Sequence, residues 1–175
     1  LQILRAIAAW LVVYHHYMQI FYENNVSSAL GEFFRYKGGF GVDLFFVLSG
    51  FVMYLTASRP EISARVFFIK RLFRVFPAYW FYTLILFILL SVFPKEFSFT
   101  SYNLVSVLQS LFFIPHENPS GIGNFPLLTV GWTLNYELLF YTILTICIFF
   151  SRKHSFKFCS LIILVCVVLF KDTDN

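Results

Sequence analysis

The strongest constraint on this chain is its series of long apolar runs: Leu4–Tyr22, Gly39–Ala57, Val75–Phe93 and Thr129–Phe150. At about 1.5 Å of rise per residue, a helix of about twenty residues crosses the ~30 Å hydrocarbon layer of a bilayer. Charged residues make up only 13% of the chain and apolar residues 59%. Soluble domains are nearer a quarter charged, so there are too few charges here to cover a soluble surface. The expected fold class is an all-α integral membrane protein, a multi-span helical bundle of about four complete spans plus the start of a fifth.

The charges between the runs set an orientation. Ser58–Arg74 carries Arg59, Arg65, Lys70, Arg71 and Arg74 against one acid, Glu61. Read as a loop, it lies in the cytoplasm by the positive-inside rule, and the amino terminus with it. The net charge of +4 arises from such clusters, which points to membrane lipid as the partner and not to nucleic acid. Glu23–Lys37 reads as a polar connection, and Pro77 as lying in the first turn of the third span, where its missing N–H does little harm. Tyr79, Trp80 and Tyr82 supply interfacial aromatics.

Tyr102–Ile114 is apolar but only 13 residues long, too short to span comfortably. If it spanned, the basic cluster Arg152, Lys153, His154 and Lys157 would fall outside the cell. A re-entrant or interfacial segment on the outer side keeps that cluster in the cytoplasm, and is the expected arrangement. Ser160–Phe170 would begin a fifth span. The chain starts at Leu1 and stops soon after an apolar run, so it is expected to be the amino-terminal part of a longer protein. Cys147, Cys159 and Cys166 lack metal-ligand or CxxC spacing; they read as packing residues, and neither a disulfide framework nor a metal is expected.

Four features carry possible chemistry. Arg5 and His16 are eleven residues apart, which is three turns plus roughly 20°, so they share a face about 16 Å apart along the axis. His15 points about 100° away. A neutral imidazole can act as a general base, whereas arginine offers charge and a donor fork. The plainer alternative is a snorkelling arginine and a histidine bonded to a neighbouring helix. Glu137 lies in a polar stripe with Thr133 and Tyr141, every fourth residue of one helix. A carboxylate there must be paired, protonated or facing a wet cavity. Asp43 lies near the outer end of the second run, and Ser49 and Gly50 further along it suit close helix contact. Lys70, Arg71 and Arg74 can grip a phosphorylated ligand or serve only topology and lipid headgroups. His116, in a Pro-rich segment, is a rival base or a substrate contact. Asn25-Val26-Ser27 matches a glycosylation sequon, which at that length means little.

These segments resemble the membrane-bound acyltransferase-3 family. Leu4-Arg5-Ala6-Ile7-Ala8-Ala9 leading to His16 resembles its Arg-x10-His signature. Gly41-Val42-Asp43 through Ser49-Gly50-Phe51 is similar to its second-helix motif, and Arg71-x-x-Arg74 to its Arg-x-x-Arg. Trp132-Thr133-Leu134-Asn135-Tyr136-Glu137 resembles Trp-Ser-Leu-x-x-Glu, with Thr133 in place of the usual serine. Together with Pro115-His116-Glu117-Asn118-Pro119, the last segment looks most like the exopolysaccharide-acetylating branch.

The resemblance implies one acyltransferase domain, of which residues 1–175 are the amino-terminal part, in a bacterial inner membrane. Such an enzyme moves an acyl group, usually acetyl, from acyl-CoA onto a sugar hydroxyl of a polysaccharide or lipid-linked saccharide. It implies His16 as base or acyl carrier, with Arg5 and Glu137 beside it in the chemistry. Arg71, Arg74 and Lys70 would bind the CoA phosphates, and Asp43, Ser49, Trp132, Asn135, Tyr141 and His116 would support the site. The competing expectations are a transporter or flippase using the same charged residues as a path, and a non-catalytic membrane subunit.

Overall fold

The computed structural model describes residues 1–22, 28–97 and 100–170, and the regular structure among them is helical. The chain divides into two compact units, Leu1–Arg59 and Pro60–Asn175.

In the first unit, α1 (Gln2–Tyr22) packs against α2 (Ala29–Lys37) and α3 (Phe40–Ala57). The sequon and the start of the expected polar connection lie outside the described residues. The rest of that connection is α2, not a loop. Ser28 caps it by accepting from the Gly31 N–H at 3.2 Å. Glu32 in its first turn and Arg35 and Lys37 in its last complement the helix dipole. Polarity concealed this helix, because nine residues carrying three charges and aromatics read as a connector.

Gly38 and Gly41 bring the backbones together. A Cβ on Gly41 would stand 2.5 Å from the Ala8 carbonyl oxygen and 2.9 Å from the Leu11 Cβ, and one on Gly38 would stand 2.7 Å from the His15 Cβ. The small-residue approach expected at Ser49–Gly50 is therefore located earlier. Among the described residues, a Cβ on Gly50 would meet no atom within 4 Å, and the buried Ser49 hydroxyl has no hydrogen-bond partner.

In the second unit, α4 (Ala64–Val92) packs on α5 (Leu104–Leu111) and α6 (Trp132–Phe150), and α6 on α7 (Ser155–Phe170). The basic stretch read as a loop from Ser58 to Arg74 is largely the start of α4. Ser63 caps it, accepting from the Val66 N–H at 3.3 Å, and lysine and arginine are good helix formers. Pro77 consequently falls inside the helix and not in its first turn.

An interior proline costs about 3 kcal/mol, offset by one continuous buried stripe: Phe67, Arg71, Val75, Tyr79, Thr83 and Leu90. Pro77 lies about 200° from Val75, and Phe73, whose carbonyl loses its partner, is exposed. The lost bond is therefore on the outer face.

Helix α5 has eight residues and a capping box between Asn103 and Ser106, too short to span, as expected. Tyr79 Oη donates to the Ser110 carbonyl at 3.1 Å and Trp80 Nε1 to the Leu111 carbonyl at 2.8 Å. Leu90, Val107 and Leu127 form the core beside it. The loop beyond is organised by Asn118, whose Nδ2 donates to the Phe125 and Pro126 carbonyls and whose Oδ1 accepts from the Ser120 N–H.

Arg152 donates from Nη1 to the Pro60 carbonyl and from Nη2 to the Ile62 carbonyl, both at 2.6 Å. One member of the basic cluster thus anchors the approach to α4. All three cysteines are free thiols, with Cys147 and Cys159 buried and Cys166 exposed.

Among the described residues, three helical segments are long and apolar enough to cross a membrane: Phe40–Ala57, Ala64–Val92 and Thr129–Phe150, the last including a 3-10 turn before α6. Helix α1 has the length but carries Arg5, His15, His16 and Gln19, and it is not among the three.

Candidate functional site

The first cluster lies on α1. The helix is unbroken from Gln2 to Tyr22, so Arg5 and His16 keep the shared face expected from their spacing. The Arg5 guanidinium sits over the Phe45 ring of α3, 5.2 Å from its centroid, a cation–π contact that holds the head beside α3.

His15 does not stand apart. Its Nδ1 is 3.1 Å from the Phe34 carbonyl of α2, and its Nε2 accepts from Gln19 Nε2 at 3.1 Å. The other end of the same amide, Gln19 Oε1, is 3.0 Å from His16 Nδ1. Gln19 was not singled out from the sequence, although it sits four residues after His15 and three after His16, both side-by-side spacings on a helix. Asp43 is exposed in the first turn of α3, where its charge suits the helix dipole. It lines a cleft of about 570 Å³ with Leu11, Phe33, Tyr36, Lys37 and Phe40.

The second cluster is built on α4 and α6. Gly131 starts α6 against Tyr79, where a Cβ would lie 2.6 Å from the ring. Glu137 is 6% exposed and Tyr141 fully buried, and the Tyr141 hydroxyl donates to Glu137 Oε1. Of the expected stripe, Thr133 turns instead to its own backbone, donating to the Val130 carbonyl at 3.2 Å. The Arg71 guanidinium lies 5.3 Å from the Phe67 ring centroid and 6.0 Å from that of Tyr141. A buried carboxylate, a phenol and a guanidinium therefore share one helix–helix seam.

Lys70 and Arg74 are exposed on α4 and Arg71 is buried. Trp132 and Asn135 line a cleft of about 760 Å³ with Phe113, Phe125, Tyr136 and Thr142. Phe113 holds a left-handed backbone (φ 57°) with its ring against Phe76 and Tyr79. His116 Nδ1 donates to the Ile114 carbonyl at 2.9 Å and its Nε2 stands 3.5 Å from Ser110 Oγ, a loop-fastening arrangement.

A helical chain with basic, imidazole and carboxylate groups set into apolar helices fits a membrane protein with polar groups held within its helices. The family model described as an acyltransferase domain matches residues 1–171, and the chain belongs to this acyltransferase-3 family. It is 37% identical over 142 residues to the exopolysaccharide production protein ExoZ of Rhizobium meliloti (strain 1021), an alignment covering 77% of this chain and 44% of that protein. The chain thus spans less than half the length of this relative. No solved structure matches it.

Proposed function

We propose that the protein carrying this chain moves an acyl group, acetyl in the first instance, from acyl-CoA to a hydroxyl of an exported polysaccharide or its lipid-linked precursor. The observation that carries this reading is the arginine–histidine pair kept on one uninterrupted face of α1 in a member of the acyltransferase-3 family. His16 acts as general base toward the acceptor hydroxyl or carries the acyl group between two steps, and Arg5 faces the charge that develops on the thioester oxygen. Glu137, held by Tyr141, is the carboxyl group assigned the orienting role.

Lys70 and Arg74 carry accessible positive charge for the CoA phosphates, with Arg71 supporting them from the buried side. Trp132 and Asn135 sit in a cleft whose aromatic faces and amide suit a saccharide, and Asp43, Ser49 and His116 support the frame. The charge pattern favours a bacterial inner membrane with the amino terminus in the cytoplasm. The likeness to a relative named for exopolysaccharide production supports a polysaccharide acceptor.

The test is alkali-labile O-acetyl on surface polysaccharide from cells making the whole gene product, comparing wild type, His16→Ala and His154→Ala at matched membrane levels. Ester lost only in His16→Ala is the expected result. Ester retained in His16→Ala overturns the role of His16. A wild type that leaves no ester but carries the saccharide across the membrane would establish a transporter instead.

A further inference from the structure

We propose that Gln19 is a positioning residue that fixes the tautomer of His16, placing its proton on Nδ1 and leaving Nε2 as the basic nitrogen. The inference starts from a group whose polarity admits no choice. The Phe34 carbonyl oxygen can only accept, so the 3.1 Å contact from His15 Nδ1 requires a proton on that nitrogen. A neutral His15 then presents a lone pair at Nε2. The atom 3.1 Å away must be a donor, which makes it the amide nitrogen of Gln19.

With its nitrogen committed to His15, Gln19 turns its oxygen to His16. An amide oxygen only accepts, so His16 Nδ1, 3.0 Å away, carries the proton. The reversed amide would set two acceptors against each other at His15. The polarity of one backbone carbonyl on α2 thus passes through an imidazole and an amide to a second imidazole. Among the described residues His16 Nε2 has no hydrogen-bond partner. This is the form a general base needs: a lone pair outward, and a proton on the far nitrogen held by a neutral acceptor that stays bonded when the ring becomes cationic.

The arrangement rests on the reading of His16 as a base in acyl transfer, yet it can be measured without any turnover. The experiment is 15N NMR of histidine-labelled full-length protein in lipid nanodiscs, under alkaline conditions that keep the imidazoles neutral, with His15 and His16 assigned by single substitution. In wild type, both residues should show a protonated Nδ1 and an unprotonated Nε2. In Gln19→Leu, His16 should lose that preference and populate the Nε2–H form, while His15 keeps its tautomer because the Phe34 carbonyl is untouched. The unmoved His15 shows that the variant is folded.

Turnover in Gln19→Leu should fall about tenfold with the donor KM unchanged, a fraction of the roughly 10²–10⁴-fold that a general base contributes. A wild-type His16 carrying its proton on Nε2, or a Gln19→Leu spectrum identical to wild type at His16, would overturn the proposal. The expected spectra combined with full ester formation by His16→Ala would leave the relay standing and remove only the catalytic reading of His16.

Discussion

In the unit ending at Arg59, the polar groups of interest on α1 are half-buried or exposed, and they are joined in a chain of single hydrogen bonds from the Phe34 carbonyl through His15 and Gln19 to His16. In the unit that follows, Glu137 and Tyr141 are sealed between helices, with Arg71 packed over the same phenol ring. The first arrangement leaves a nitrogen lone pair outward, ready to exchange a proton. The second has little access to anything mobile, and under the proposed function it would act through low dielectric, where electrostatic effects are strong. A partly solvated histidine can be replaced without loosening its helix, whereas a buried carboxylate–phenol pair cannot lose one member without stranding the other. Substitutions at the two places therefore carry different structural risks.

Substitutions can break that comparison. The largest expected effect is His16→Ala, which should lower acyl transfer by about 10²–10⁴-fold with no change in Tm. A matching fall in Tm would show the histidine to be a packing residue. Next is Glu137→Ala, which leaves the buried Tyr141 hydroxyl without its acceptor and should cost about 1–3 kcal/mol of stability as well as activity. Glu137→Gln should recover the stability but not the charge, and wild-type activity in Glu137→Gln would remove the electrostatic role.

Gly41→Ala drives a methyl into the Ala8 carbonyl and should destabilise by about 1–3 kcal/mol, seen as a lower Tm in detergent, whereas Gly50→Ala should be close to neutral. The smallest effect is expected from Lys70→Ala, a several-fold rise in donor KM that added salt diminishes. A KM independent of both charge and salt would separate that tier of α4 from the donor.

The apolar runs made α3 legible to within one residue and α6 to within three, the difference being the 3-10 turn Thr129–Gly131, because both are simple stretches of span length. The start of α4 was not legible, since a density of arginines signals topology and helix equally well and Ser63 decides between them. Helix α2 escaped because its stability comes from a cap and from packing on α1, neither of which raises hydropathy. At the site, the spacing of Arg5 and His16 and that of Glu137 and Tyr141 were readable as helical periodicity. Gln19 was not, because its role depends on a carbonyl of α2 far away in sequence. Gly38 and Gly41 escaped in turn because a glycine shows no sign in sequence of which backbone it faces.

Helix α4 is 29 residues in one piece, about 43 Å at the standard rise, longer than the ~30 Å hydrocarbon thickness of a bilayer. Continuity through Pro77 makes it a ruler: the basic tier around Arg71 and the buried contacts around Tyr79 and Leu90 share one rigid scale. Shortening or lengthening the segment between Arg74 and Tyr79 by one residue would turn the charged tier by about 100° and move it by about 1.5 Å relative to those contacts. The height and bearing of the charged residues are thus a property of helix phase, and single-residue insertions there should matter more than the identity of the residue inserted.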